Sequence, residues 1–402
     1  MIEAIAARNF KSLGDFKLRL GAFNCLIGMN GAGKTSILQA IDFVSQLMVG
    51  RIDDWLAMRE WEPGDLVSKF SPSANIQLAV SFVADSGQRV AWSGLFNRQS
   101  MACSTENISV DGERVLTVRA QVLTVAGAAD LHGPIGFTYQ GSVLSQLRGD
   151  SLPPALLAFR DAMRKIRSLE LLAPNLMRRR ARSSEIDIGP GGEKLSAFLD
   201  GIKGVDRERL RDLLRTFYPR LEDFKITSQR AGWKKLSVYE RFGEHRIETE
   251  ARHINDGLLR VLAILAQAAS DRSLILLDEI ENGINPEIVE ALVDALVTSP
   301  QQILVTTHSP MILNYLPDVT ARQAVQFVYK NPAGQTRVRP FFDSERVARK
   351  LDVMGPGEAF VDTDLSALTD ECVRQDAEDE GRIRAELAAQ AEQVLSRLAD
   401  SE

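Results

Sequence analysis

Four short stretches hold residue types that could do chemistry on a phosphate. The first is Gly28-Met29-Asn30-Gly31-Ala32-Gly33-Lys34-Thr35, spaced as G-x-x-x-x-G-K-T. Glycines let successive backbone N–H groups point at phosphate oxygens, at the start of a helix whose dipole favours anions. Lys34 can reach the β- and γ-phosphates, and the Thr35 hydroxyl can sit on Mg²⁺. The second stretch is Leu274-Ile275-Leu276-Leu277-Asp278-Glu279: four apolar residues, then two carboxylates. In an open parallel sheet the C-terminal strand ends are where ligands sit. Asp278 suits a Mg²⁺ held through water, and Glu279 the orientation or polarisation of an attacking water. The third, Ile303-Leu304-Val305-Thr306-Thr307-His308, is a buried strand that ends in a histidine. The His308 imidazole could hydrogen-bond a γ-phosphate or the attacking water and so sense nucleotide state. The fourth, His253-Ile254-Asn255-Asp256-Gly257, would cap a helix and offer a second anion site.

These residues need elements to hold them. Phe23–Ile27 reads as a short buried strand before the glycine loop, and residues 36–44 have helical apolar spacing after it. Ile2–Phe10 and Phe16–Leu20 read as strands around the turn Asn9-Phe10-Lys11-Ser12. Residues 51–75, with Trp55 and Trp61, fit no simple pattern. From Asn75 to about Arg119 the pattern is β-like, with Asp111-Gly112 as a hairpin turn. From about Ser142 to Leu221 the chain reads as helical, and Phe224–Gln229, Lys235–Arg241 and His245–Glu248 read as strands. A helix follows over about Asp256–Ser270. Beyond it, strand, helix and strand over Ser273–Leu277, Pro286–Val297 and Gln302–Thr307 argue a parallel sheet. Val325–Tyr329 and Thr336–Phe341 form an expected closing hairpin. Ile383, Leu387, Ala391, Val394 and Leu398 make a helical stripe that fits packing on the chain's own body, the commoner case, or on a partner.

Composition narrows the function. The 402 residues are 45% hydrophobic and 25% charged, which is ordinary for a protein with a sizeable core. With 48 basic and 54 acidic residues the net charge is −6, so any nucleic-acid contact must be local. Cys25, Cys103 and Cys372 are far apart, which argues against a zinc site or disulfide framework. No apolar run approaches membrane-spanning length and the N-terminus lacks a signal-peptide pattern, so a cytoplasmic location and no membrane contact are expected.

Taken together, the stretches resemble the ABC-type ATPase heads of the SMC, RecF and OLD group, over most of residues 1–345. More narrowly, the chain is similar to the compact bacterial ATPases often called AAA-family. Asn9-Phe10-Lys11-Ser12, the phosphate loop, Asn255-Asp256-Gly257, Asp278-Glu279, Glu281-Asn282-Gly283-Ile284-Asn285-Pro286 and Thr307-His308-Ser309 stand in that group's order. The resemblance implies an α/β P-loop NTPase head, with a mixed sheet around the phosphate loop, an antiparallel β subdomain and an inserted helical lobe. The expected boundaries are 1–140 for an N-terminal ATPase lobe, 141–222 for the helical lobe, 223–345 for a C-terminal ATPase lobe and 346–402 for a helical extension.

The resemblance also implies ATP and Mg²⁺ as ligands, and ATP hydrolysis as the reaction. Nucleotide contacts are implied for Lys11 and Ser12, and for Asn30, Gly31, Ala32, Gly33, Lys34, Thr35 and Ser36. Asn255, Asp256 and Gly257 stand where the signature motif does, which completes the ATP site of the opposite subunit in a homodimer or higher oligomer. Thr35, Asp278 and, by position, Gln140 are the implied metal-side residues, with Glu279 and His308 catalytic. Asn255 replaces a frequent serine and Asn285 a frequent histidine. The chain shows no long coiled-coil arm, no C-x-x-C hook and no acid constellation of a TOPRIM nuclease; Asp362 and Asp364 are isolated. An ATP-driven switch for a separately encoded effector, as in bacterial anti-phage defence, is the expected role. A RecF-like DNA-repair ATPase that uses Arg178-Arg179-Arg180-Ala181-Arg182 and Lys234-Lys235 on phosphates is the alternative. A transporter subunit fits less well, because of the β-rich first lobe and the long sequence between loop and signature.

Overall fold

The computed structural model describes residues 1–126, 132–182 and 187–399, with side chains at all of these except 345 and 383–399. In chain order, β1 (Ile2–Phe10) and β2 (Leu13–Arg19) form a hairpin whose turn holds Asn9 at φ 63 and Lys11 at φ 47. β3 (Phe23–Ile27) is buried at every position and feeds the glycine loop. α1 (Lys34–Val49) follows, and ends on Gly50, whose N–H bonds Gln46 O. The stretch with no clear pattern contains α2 (Ile52–Met58), with Asp53 and Asp54 in its first turn, where carboxylates are favoured.

Next come β4 (Asn75–Val83), β5 (Arg89–Asn97), β6 (Ala102–Val110), β7 (Glu113–Arg119), β8 (Val122–Val125) and β9 (His132–Pro134). They join the first hairpin in an eight-stranded sheet ordered β2-β1-β4-β5-β6-β7-β8-β9. Ile76, Leu78, Val80 and Phe82 on β4 are buried while their neighbours are not, as a sheet with one covered face demands.

The middle of the chain holds α3 (Pro154–Arg164), β10 (Arg167–Ser168), α4 (Pro174–Met177), α5 (Leu195–Gly201) and α6 (Gly204–Phe217). β11 (Leu221–Ser228), β12 (Lys234–Phe242) and β13 (His245–Glu250) make a separate three-stranded antiparallel sheet. This stretch is more mixed than the expected helical lobe over 141–222. Phe159 and Met163 of α3 bury with α1, β10 joins the central sheet, and α5 and α6 share a core with Phe224, Leu236 and Val238.

The last third runs α7 (Asp256–Ala268), β14 (Leu274–Leu277), α8 (Pro286–Val297), β15 (Gln302–Thr306), α9 (Pro310–Asn314), α10 (Asp318–Ala324), β16 (Val325–Lys330) and β17 (Thr336–Pro340). It closes with α11 (Glu345–Ala348), α12 (Pro356–Val361) and α13 (Leu365–Ala399).

The central sheet is ordered β10-β14-β15-β3-β16-β17, parallel except for the last strand. Its strands alternate between two cores. Leu26, Leu274, Leu276, Leu304 and Val328 face α1 and the eight-stranded sheet; Cys25, Ile275, Leu277, Ile303, Val305 and Phe327 face α7 and α8. Burial on both faces explains the unbroken apolar runs, and each fully buried large side chain contributes about 1.5–3 kcal/mol. α1 lies between the two sheets, so Ile37, Leu38, Ile41, Phe43, Val44, Leu47 and Met48 are all buried.

All three cysteines are buried and unpaired. No described helix is long and apolar enough to cross a membrane. The start of α13 packs on the chain's own last hairpin. The Tyr329 hydroxyl donates to Asp376 Oδ2 at 2.7 Å, and Arg339 donates to Asp376 at 2.8 Å and to Asp379 at 2.6 Å. The stripe Ile383, Leu387, Ala391, Val394 and Leu398 lies outside the described side chains.

Candidate nucleotide site

The glycine loop is shaped by the hairpin packed behind it. Gly28 has φ 147, and a Cβ there would stand 2.2 Å from Val328 O. Gly33 has φ 107, and its Cβ would stand 2.1 Å from Thr336 Oγ1. That hydroxyl donates to Ala32 O at 2.8 Å and lies 2.8 Å from Ser12 Oγ. Thr336 therefore ties the loop to the β1–β2 turn and leaves room only for glycine. Gly33 brings no side-chain cap to α1, so the free N–H groups of the first turn remain for a ligand. The Lys34 ammonium folds back onto Gly28 O at 3.0 Å and Met29 O at 3.2 Å. Burial lowers its pKa, against the raising effect of Asp278, Glu279 and Glu281.

Two neighbouring parallel strand ends supply the acids. β14 delivers Asp278 and Glu279, and β15 delivers Thr306. Thr35 Oγ1 donates to Asp278 Oδ2 at 2.9 Å, and Thr306 Oγ1 donates to Asp278 Oδ1 at 2.5 Å. The Glu279 N–H donates to Thr306 Oγ1 at 2.8 Å, and Glu279 itself turns into the left-handed region at φ 46. The His308 N–H donates to Glu281 Oε1 at 2.9 Å, whose other carboxylate oxygen is buried without a partner.

Lys11, Ser12, Asn30, Gly31, Gly33, Lys34, Thr35, Ser36, Asp278, Glu279 and His308 line one cavity of about 720 Å³. That lies within the range of small-molecule sites. Among the described residues no cluster of three or more His, Cys, Asp or Glu could hold a metal by protein ligands alone. The hydroxyl–carboxylate pair of Thr35 and Asp278 does fit a Mg²⁺ that takes its remaining oxygens from phosphate and water.

Gln140 requires a correction: it does not reach this site. Its side-chain oxygen accepts from Ile52 N at 3.0 Å and Asp53 N at 3.2 Å, which caps α2. Gly141 bonds Met101, just before β6, and Cys103 on β6, and the Ser142 N–H donates to Leu47 O. The segment is thus held at the C-terminal end of α1, about 24 Å of helix from the phosphate loop. The buried Glu106 carboxyl fixes it further, taking bonds from Ser142 Oγ at 2.5 Å and Val143 N at 2.7 Å.

The glutamine that does approach the cleft is Gln39, one turn into α1. It accepts from Lys11 Nζ at 2.7 Å and donates to Glu170 Oε1 at 2.5 Å. Glu170 follows β10, the strand beside β14, and lies close enough to Asp278 to feel its charge. Burial raises the Glu170 pKa, and burial lowers that of Lys11 to about 8. Trp61, Asp65, Val67, Lys69, Phe70 and Lys330 complete the cavity wall. The sequence offered no periodic signal for the 59–70 stretch; two tryptophans near a phosphate loop were the only hint.

Asn255 caps α7, its side chain accepting from Leu258 N at 2.8 Å. Asn255 and Asp256 are exposed and do not line the cavity of their own chain. Arg178 holds the turn from outside: one nitrogen donates to Ile254 O at 2.8 Å and to Asp256 Oδ1 at 2.5 Å. Four more residues of the basic cluster are also engaged. Arg180 donates to Gln229, Arg182 to Ala231 O, Lys234 pairs with Asp200 at 2.8 Å, and Lys235 with Glu250 at 3.0 Å.

Two family models match the chain. Residues 156–314 match the family described as "AAA domain, putative AbiEii toxin, Type IV TA system", and residues 1–122 match "AAA ATPase domain". An OLD nuclease of Thermus scotoductus is 37% identical over 83 residues, which is 20% of this chain and 14% of that protein. The chain therefore matches only a small part of that relative. Among solved structures, an Smc head bound to the C-winged helix domain of ScpA aligns at TM-score 0.52 and 17% identity, over 87% of this chain and 99% of that one. A Pyrococcus furiosus Smc head domain with an extended coiled coil, bound to the C-terminal domain of ScpA, aligns at TM-score 0.50 and 14% identity, over the same shares. At these identities the likeness shows the fold.

Proposed function

We propose that this chain, an ABC-type ATPase head of the SMC, RecF and OLD group, is an ATP-driven dimerisation switch. One observation carries the reading. Loop, acids and histidine share one cavity, whereas the signature turn is formed but exposed and outside it. A second copy that presents Asn255, Asp256 and Gly257 would complete each site. Lys34 and the free N–H groups of α1 bind the triphosphate. Thr35 and Asp278 would hold Mg²⁺, which when bound neutralises phosphate charge. Glu279 accepts the proton of the attacking water, and His308 hydrogen-bonds beside the γ-phosphate. Loss of that phosphate removes the link between heads, and they part.

Complementation tests this arrangement. Asn255→Ala and Lys34→Ala each inactivate their own homodimer. Mixed, they form a heterodimer in which Lys34 of one chain faces Asn255 of the other, and hydrolysis returns. No return at any mixing ratio, with heterodimer present, refutes a signature supplied by the second copy.

The switch controls a separately encoded effector in a defence system. The family description over residues 156–314, which names a toxin–antitoxin system, supports this role. The RecF-like alternative rests on the basic cluster, but Arg178, Arg180, Arg182, Lys234 and Lys235 already have partners within the chain, which leaves less charge for DNA. Co-purification of an effector from the native host tests the first role. DNA binding that falls with salt and is lost in Arg179→Ala/Arg180→Ala would favour the second.

A further inference from the structure

The lining of the nucleotide cavity carries two kinds of chemistry. Glycines, Lys34 and Thr35 supply one; Trp61, Val67 and Phe70, together with Lys69 and Lys330, supply the other. Phe70 is 70% exposed, more than any other phenylalanine or tryptophan among the described residues. Its backbone is nevertheless strapped in place. The buried Asn9 accepts from Ser68 N at 3.3 Å and donates to Ser73 O at 3.0 Å and Asn75 O at 2.8 Å. The Phe70 N–H in turn donates to Ser68 Oγ at 3.3 Å. The ring rests on Gly334, where a Cβ would stand 3.1 Å from it, so the glycine is a ledge for the phenyl. Trp61 is taken: the Lys11 ammonium sits 3.2 Å from its ring centroid, and the Trp55 ring packs perpendicular to it with centroids 5.5 Å apart. Phe10, the last residue of β1, is wholly buried. Phe70 is thus the exposed aromatic ring of a cavity whose lining also holds the glycine loop suited to a triphosphate.

We infer that Phe70 is the platform on which the nucleotide base stacks. The inference rests on the reading of the cavity as a nucleoside triphosphate site. Every base has a π-face, so the stacking gives affinity without choosing between adenine and guanine. A ring strapped at its backbone and supported by Gly334 loses little freedom when the base arrives.

Calorimetry of the full chain with Mg²⁺ and three probes tests this: ATP, GTP and inorganic tripolyphosphate. Phe70→Ala weakens ATP and GTP alike, by roughly ten-fold, and leaves tripolyphosphate unchanged. Phe70→Trp restores ATP binding, and relative to the wild type it adds a fluorescence change with ATP that tripolyphosphate does not produce. ATP affinity unchanged in Phe70→Ala overturns the inference, as does an equal loss for ATP and tripolyphosphate. Lys34→Ala run in parallel separates the two readings. If it binds all three probes like the wild type, the triphosphate site fails, while the Phe70 comparison still decides the stacking because it sets base against no base.

Discussion

The cavity wall and the signature turn would meet across a dimer, yet they are built by opposite means. The wall gathers the ends of three neighbouring parallel strands, a glycine loop and a hairpin, each locked by short bonds: Thr35 and Thr306 to Asp278, Thr336 to Ala32. The turn is one helix start on the surface, capped by its own Asn255 and braced by a single arginine. The difference teaches where control can enter. Under the proposed switch, the wall would bind nucleotide in one copy, whereas the turn would act only when a second copy arrives and could be weakened without disturbing the core.

Lys34→Ala should have the largest effect, with ATP binding below detection in calorimetry and hydrolysis lost with it. Glu279→Gln should keep ATP affinity within about three-fold and lose hydrolysis by roughly a thousand-fold, with dimers accumulating in ATP on size exclusion. Hydrolysis at the wild-type rate would remove Glu279 from the chemistry. Asn255→Ala should lower kcat by about a hundred-fold, while a monomer-range ATP titration stays unchanged. A parallel loss of monomer affinity would mean that the turn serves its own chain.

Arg178→Ala should lower kcat by about ten-fold with KM nearly constant, and Arg178→Lys should recover part of it. A change in melting temperature without a kcat change would make Arg178 structural only. The smallest effect concerns pH. Burial holds the Lys11 pKa near 8, so the side chain is cationic below that value and neutral above it. ATP affinity should therefore fall by a few-fold as pH rises from 7 to about 9.5, and Lys11→Met should flatten that slope. An equal slope in both proteins would assign the titration elsewhere.

Much of the site could be read without coordinates, for a local reason. Gly28 to Thr35 act through consecutive main-chain groups, and Asp278, Glu279 and His308 each lie one or two residues past a buried strand. Gln140 went astray because its segment was placed by order along the chain, while Glu106 and β6 hold it at the wrong end of α1. Glu170 and Gln39 were missed because neither stands in a motif; they meet only because β10 lies beside β14 and α1 crosses above. Residues 59–70 have no period, so their place on the cavity wall was invisible.

The sequence by itself determined the strand–loop–helix suited to a triphosphate and the two strands that carry acid and histidine beside it, since backbone period and glycine chemistry act over a few residues. Tertiary structure alone decided that Thr306 and Thr336 buttress the acids and the loop, that Phe70 lines the same cavity, and that the signature turn does not line the cavity of its own chain. Those contacts join residues tens to hundreds of positions apart. They exist only because burial on both faces of the central sheet brings the segments together.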